Sequence, residues 1–266
     1  LALLLSYKLI LCMKKDKLAF QRLVEYCSNA ICNKVVSIPF QIENFVLKCD
    51  WYNAIVKLKE AVKCGIFLPF NYKETIAALY CALAREYESL GNMREAIRSV
   101  LRAQNHYPSF QPISYLKAEL YIKLGKVKKA SNVLESEYRK NPTPQIARLY
   151  ISLNDKNAEK LYDLHSSYYF SYCALAISSI NLNQYDLANQ HLNTAMKKAN
   201  YLSIYLIMVQ LKILLKEPEK AIYWLNCAYT DSVLDSTWRC KNCTKELKKW
   251  DGKCSHCGDF NCISIV

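Results

Sequence analysis

"ALAREYESLGNMREAIRSVLRAQNHYP", residues 82–108, and "KAELYIKLGKVKKASNVLESEYRKNP", residues 117–142, decide the fold when one is laid over the other. Ala84, Tyr87, Gly91, Ala96 and Pro108 of the first recur as Ala118, Tyr121, Gly125, Ala130 and Pro142 of the second, and Val100 is matched by Leu134. Every pair is 34 residues apart. Each copy reads as a helix, a tight turn and a second helix. Gly91 and Gly125 stand where the first helix must stop, because glycine accepts the left-handed conformation that closes a helix. Ala84 and Ala96 are small where two helices approach closely, and the prolines end the second helix.

A helix–turn–helix unit with this period is the tetratricopeptide repeat (TPR) arrangement. Weaker copies of the second helix extend in both directions. "QYDLANQHLNTAMKKA" supplies Ala188, Leu192 and Ala195, and "EPEKAIYWLNCAYTD" supplies Ala221, Leu225 and Ala228. Upstream, "CDWYNAIVKLKEAVKCG" gives Ala54, Leu58 and Ala61, and "KDKLAFQRLVEYC" gives Ala19, Leu23 and Tyr26. Residues 145–168 read as a degenerate unit and 65–76 as an inserted connector. "LALLLSYKLILCM", residues 1–13, reads as the first helix of the opening unit; it is too short to span a bilayer and contains Lys8. The expected fold is all-α: a TPR-like helical solenoid over residues 1–232, followed by a small C-terminal module over 236–266.

That module is defined by "STWRCKNCTKELKKWDGKCSHCGDF", residues 236–260. Cys240-x-x-Cys243 and Cys254-x-x-Cys257 are two knuckles, each able to present a pair of thiolates. Facing one another they make a tetrahedral four-sulfur site. Gly258 follows the second knuckle and Gly252 lies between the two, so four of the five glycines fall at repeat turns or in this module. A segment this short buries too little surface to fold unaided, so a bound metal must supply stability. Zinc is the expected ion, and iron also suits four thiolates. With every position filled by sulfur, no site is left for a reactive water. Trp238, Trp250 and Phe260 are expected to cover the site as a miniature core, and His256 to lie exposed outside the ligand set.

The net charge of +13 raises nucleic-acid binding, but the lysines are spread along the chain in short clusters. Only the ribbon concentrates them, at Arg239, Lys241, Lys245, Lys248, Lys249 and Lys253; nucleic acid is not expected as the main partner. Of the 13 cysteines, those outside the tail cluster sit mostly among apolar neighbours and read as small core residues, a pattern suited to a reducing compartment. No phosphate-binding loop, dinucleotide fingerprint, nucleophile elbow or H-E-x-x-H appears, and the four histidines have no local acid–base partner. No enzymatic activity is expected. Stacked TPR helices instead leave a concave groove for protein partners, and Arg85, Glu88, Tyr115, Glu119 and Lys123 are its candidate lining.

The chain resembles the alphaproteobacterial HemY-type proteins. The resemblance is carried by "DWYNAIVKLKEAVKCGIF", by the two strong repeats through "KNPTPQIARLY", by "DLANQHLNTA" and by the ending "WRCKNC…KKWDGKCSHCGDF", where Trp238, Trp250, Gly258 and Phe260 fit the family's rubredoxin-like zinc ribbon. It implies a non-catalytic scaffold on the cytoplasmic face of the bacterial inner membrane, associated with haem or porphyrin biosynthesis and its enzymes. Such proteins carry N-terminal transmembrane helices. This chain begins at Leu1 rather than Met, so the expectation is an absent upstream anchor, with membrane association only through it and a cytoplasmic protein without it. The LapB-type adaptors of lipopolysaccharide synthesis share the same plan and form the alternative.

Overall fold

A computed structural model of the chain describes residues 17–30, 34–66, 68, 70–154 and 156–266. The stretch 1–13, expected as an opening helix, lies outside the described residues. The described residues form thirteen helices followed by three short strands. The helices are α1 (Lys17–Ala30), α2 (Lys34–Leu47), α3 (Trp51–Lys63), α4 (Tyr72–Ser89), α5 (Met93–His106), α6 (Pro112–Lys123), α7 (Val127–Lys140), α8 (Pro144–Ile151), α9 (Asn157–Leu164), α10 (Tyr169–Asn181), α11 (Tyr185–Lys198), α12 (Leu202–Leu214) and α13 (Pro218–Asp231). The strands are β1 (Trp238–Cys240), β2 (Glu246–Leu247) and β3 (Ile263–Ile265), in the sheet order β2-β1-β3. This is the TPR-like array that the repeat spacing predicts, followed by a small sheet where the C-terminal module is expected.

One closing bond recurs at the helix ends. Asn92 N–H bonds to Tyr87 O at 2.8 Å across Gly91 (φ 75°), and Lys126 N–H to Tyr121 O at 2.8 Å across Gly125 (φ 68°). The same six-to-one bond closes α2 across Cys49 (φ 58°), α3 across Gly65 (φ 65°), α10 across Asn183 (φ 59°) and α12 across Lys216 (φ 58°). The left-handed position is therefore present at these six helix ends, and glycine occupies only half of them.

The second helices bury the stripe their spacing predicts. Ala54, Leu58 and Ala61, then Ala96, Val100 and Ala103, then Ala130, Leu134 and Tyr138, then Ala188, Leu192 and Ala195 are all fully buried. Three expectations shift. In α13, Ala221 and Ala228 are buried but Leu225 is 52% exposed, because the chain after this helix runs into the strands and supplies no further helix pair to cover it. In α1 the buried face is turned: Val24 and Cys27 are inside while Tyr26 is exposed. The connector after α3 ends at Asn71, whose side chain accepts from Lys73 N–H (3.0 Å) and Glu74 N–H (3.4 Å), so Tyr72–Ile76 belong to α4. The degenerate stretch is a pair of eight-residue helices, α8 and α9.

The chain forms two compact units. The first contains the described residues up to Ile113 together with Cys240–Lys245 and Lys249–Ile263; the second is Ser114–Arg239 with Glu246–Lys248 and Ser264–Val266. The core of the second runs through Leu134, Tyr138, Leu161, Phe170, Leu192 and Leu211, with the Tyr138 hydroxyl 2.8 Å from Ser171 Oγ inside it. In the first, α4 is buried all round from Ile76 to Ala84. A helix apolar on every side needs cover on every side, and part of that cover is the cysteine-rich tail. Phe260 stacks on Trp51 at 5.7 Å and Trp250 meets Phe110 edge-on at 5.8 Å.

Candidate metal centre

The two knuckles repeat one backbone pattern. Cys240 N–H bonds to Lys245 O (3.0 Å) and Thr244 N–H to Cys240 O (2.9 Å); Cys254 N–H bonds to Asp259 O (2.9 Å) and Gly258 N–H to Cys254 O (2.8 Å). The turn closing each knuckle needs a left-handed residue, which is Gly258 (φ 75°) in the second and Thr244 (φ 58°) in the first. Asn242 Nδ2 donates to Asp259 Oδ2 at 3.0 Å and ties one knuckle to the other.

Cys240, Cys243, Cys254 and Cys257 bring their sulfurs together, all within 4.8 Å of one another. The Cys240–Cys257 and Cys243–Cys254 sulfur separations are 3.6 Å and 3.7 Å. Four sulfurs at about 2.3 Å from a central ion stand roughly 3.8 Å apart along each tetrahedral edge. Two of the six edges therefore have about the length that a metal-bound tetrahedron requires, and these four residues could hold an ion. Burial raises the Cys257 thiol above its ordinary range. At Cys240 burial acts the same way, but hydrogen bonds from the backbone of Cys243 and Asn242 outweigh it and bring the thiol down to about 6. His256 is exposed and outside the group. Among the described residues no other cluster of three or more cysteine, histidine or carboxylate side chains has this geometry.

The tryptophans also meet the helical array. Trp238 and Trp250 are each 1% exposed, and their rings pack on the helical array, Trp238 against Tyr115 at 5.9 Å and Trp250 against Phe110. Gly252 lies directly on α4: a Cβ there would stand 2.5 Å from Ala82 Cβ. Lys253 Nζ donates to Leu47 O (2.8 Å) and Asn261 to Glu74 (3.3 Å).

The groove candidates are largely engaged within the chain. Arg85 pairs with Glu88 at 2.9 Å, and its guanidinium also reaches the Trp250 carbonyl at 3.4 Å. Both side chains are nearly buried. Tyr115 carries Trp238, Glu119 is half-buried, and Lys123 is exposed. In the basic ribbon, Arg239 pairs with Glu246 (2.7 Å) and Lys253 is held by Leu47, which leaves Lys241, Lys245, Lys248 and Lys249 as its exposed charges. Of the remaining cysteines, Cys27, Cys81 and Cys173 are buried as expected, whereas Cys49 and Cys64 are exposed.

Asp235 gave no sequence signal yet holds the segment before β1. It accepts from the Tyr169 hydroxyl (2.6 Å) and from Ser203 N–H (2.8 Å) and Oγ (2.6 Å), capping the start of α12.

A tetratricopeptide repeat family profile matches residues 77–108, the first of the two strong repeats. Among solved structures, the chain is similar to TTC0263, a thermophilic TPR protein of Thermus thermophilus (15% identity, 57% of this chain and 89% of that one, TM-score 0.39). It is also similar to a tetratricopeptide repeat protein of Parabacteroides merdae (13% identity, 85% and 91%, TM-score 0.42). A third is the TPR2AB domain of yeast Sti1 in its pHSP90 complex (15% identity, 84% and 87%, TM-score 0.30). No curated protein matches the chain. The helix pairs, their closing turns and the profile match define a TPR repeat protein with a C-terminal four-cysteine cluster. Among the described residues no helix is long and apolar enough to cross a membrane.

Proposed function

We propose that this chain is a non-catalytic protein–protein scaffold or adaptor whose C-terminal ribbon is held by a structural zinc ion on Cys240, Cys243, Cys254 and Cys257. The observation that carries the reading is the combination of a TPR array, an architecture built to hold protein segments, with a cluster of four cysteine sulfurs; an ion held by all four would have no open coordination position. The ribbon already covers the Arg85–Glu88 face, so partners meet a surface that includes ribbon as well as helices. Of the groove candidates, Lys123 is exposed.

The resemblance to HemY-type proteins supports haem-pathway enzymes as the first partners to test, at the cytoplasmic face of an inner membrane. The shared plan of the LapB-type adaptors supports lipopolysaccharide enzymes as the second. Affinity purification from native membranes, with bound proteins identified by mass spectrometry, separates the two. Recovery of porphyrin enzymes supports the first; recovery of lipopolysaccharide enzymes or a membrane protease replaces it with the second. Reproducible recovery of no protein, alongside nucleic-acid binding that weakens steeply with salt through Lys241, Lys245, Lys248 and Lys249, would overturn the adaptor reading.

A further inference from the structure

The tail holds a fifth cysteine that the two knuckles do not account for. Cys262 is 4% exposed, and its sulfur lies 3.4 Å from Cys240 Sγ and 3.1 Å from the Asp259 carbonyl oxygen. It falls outside the group of four whose sulfurs are mutually close. Its backbone is fixed against the first knuckle, because Lys241 N–H donates to Cys262 O at 2.7 Å. The sulfur contact is thus set by the sheet and does not depend on a free rotamer alone.

A divalent ion on four thiolates leaves a formal charge of −2, and Cys240, at 1% exposure, is shielded from bulk solvent. Buried charge requires hydrogen-bond donors. The Cys243 N–H, 3.5 Å from Cys240 Sγ, is one such donor, and the Cys262 thiol is placed to be another. A metal-bound Cys240 is a thiolate with no proton to give, so the proton in the 3.4 Å contact must come from Cys262. That thiol has one proton and two acceptors, the Asp259 carbonyl and the Cys240 sulfur. Charge on sulfur draws the proton to Cys240.

We propose that Cys262 is a positioning residue of the metal centre: its S–H donates to the Cys240 thiolate and holds that ligand on the ion. The inference rests on the four-thiolate reading above. It adds a residue whose effect belongs to metal retention and not to ligand count.

The test uses the full chain loaded with cobalt(II) or zinc, as native protein, Cys262→Ala and Cys262→Ser. In Cys262→Ala the thiolate-to-cobalt charge-transfer bands should move to lower energy, because an unbonded sulfur gives up its electrons more readily. Zinc should pass to a chromophoric chelator faster, on the order of tenfold. Cys262→Ser, which keeps a donor, should restore most of both. The infrared S–H stretch of Cys262, isolated as the difference between native and Ser chains, should shift between metal-free and metal-loaded protein, and it reads the bond even where the Ala chain folds poorly. A native chain that shows no thiolate–cobalt bands overturns the metal centre itself. A native chain that shows them, with an S–H stretch unmoved by metal or an Ala variant matching it in bands and release rate, overturns the role of Cys262 alone.

Discussion

Thr244 occupies a place that its own chemistry disfavours. At φ 58° its Cβ crowds the following carbonyl, a strain of about 1–2 kcal/mol for a residue with a side chain. The second knuckle solves the same turn with Gly258 at φ 75°. Thr244→Gly should therefore raise the stability of the metal-loaded chain by about 1 kcal/mol, read as an upward shift of the chelator-resistant thermal transition. Gly91→Ala should do the reverse: no atom lies within 4 Å of the added methyl, so the roughly 1 kcal/mol loss is backbone strain alone. Gly252→Ala is a different case. The added methyl meets Ala82 Cβ at 2.5 Å on a helix that cannot give way, and overpacking of this kind costs about 1–3 kcal/mol. A denaturant series on the three variants should rank Thr244→Gly above native, and Gly91→Ala above Gly252→Ala. A Gly252→Ala chain as stable as native would mean that the ribbon does not press on α4.

At the scale of the element, the repeats were legible where glycine marks the turn and faint elsewhere. Gly91 and Gly125 announced α4–α5 and α6–α7, whereas Cys49, Asn183 and Lys216 perform the same left-handed closure without a compositional signature. That the four cysteines cluster could be read from spacing alone, because two C-x-x-C pairs at this separation suit one metal-sized site. Asp235 could not, since one carboxylate in a linker looks like any solvated residue until α10 and α12 bring Tyr169 and Ser203 to it. The run "TIAALYCALA", residues 75–84, did carry an unused signal: a helix without a polar face must be covered on the groove side too. Asp235→Ala should leave Ser203 N–H and the Tyr169 hydroxyl without their acceptor and release the α12 cap, at a cost of about 1–3 kcal/mol. Asp235→Asn should recover part of that loss. Equal stability of the Ala and native chains in urea would show that water replaces the carboxylate at little cost.

Across the molecule, the ribbon belongs to the packing of the array as well as to the four-cysteine cluster. Knuckle residues Lys249–Ile263 group with the first unit and engage α2 through Leu47, α3 through Trp51 and α4 through Glu74, Ala82 and Arg85. An ion that organises those residues therefore also organises what covers α4. If the ribbon were an appended module, stripping the metal would unfold the tail and leave helical melting unchanged. The packing predicts otherwise. Cys254→Ser, or a strong chelator on the native chain, should lower the temperature at which helical circular dichroism is lost, and zinc should restore it in the native chain only. Most of the recovery should come with the first equivalent of zinc. Beyond it the gain should grow only with the logarithm of free metal over its dissociation constant, as for any ligand that binds the folded state alone. Trp250, fully buried against Phe110 and covered by the same segment, supplies a second probe. Its fluorescence should report exposure in the same transition as the helices. Fluorescence that changes on metal removal while helical melting stays at its native temperature would separate ribbon from array.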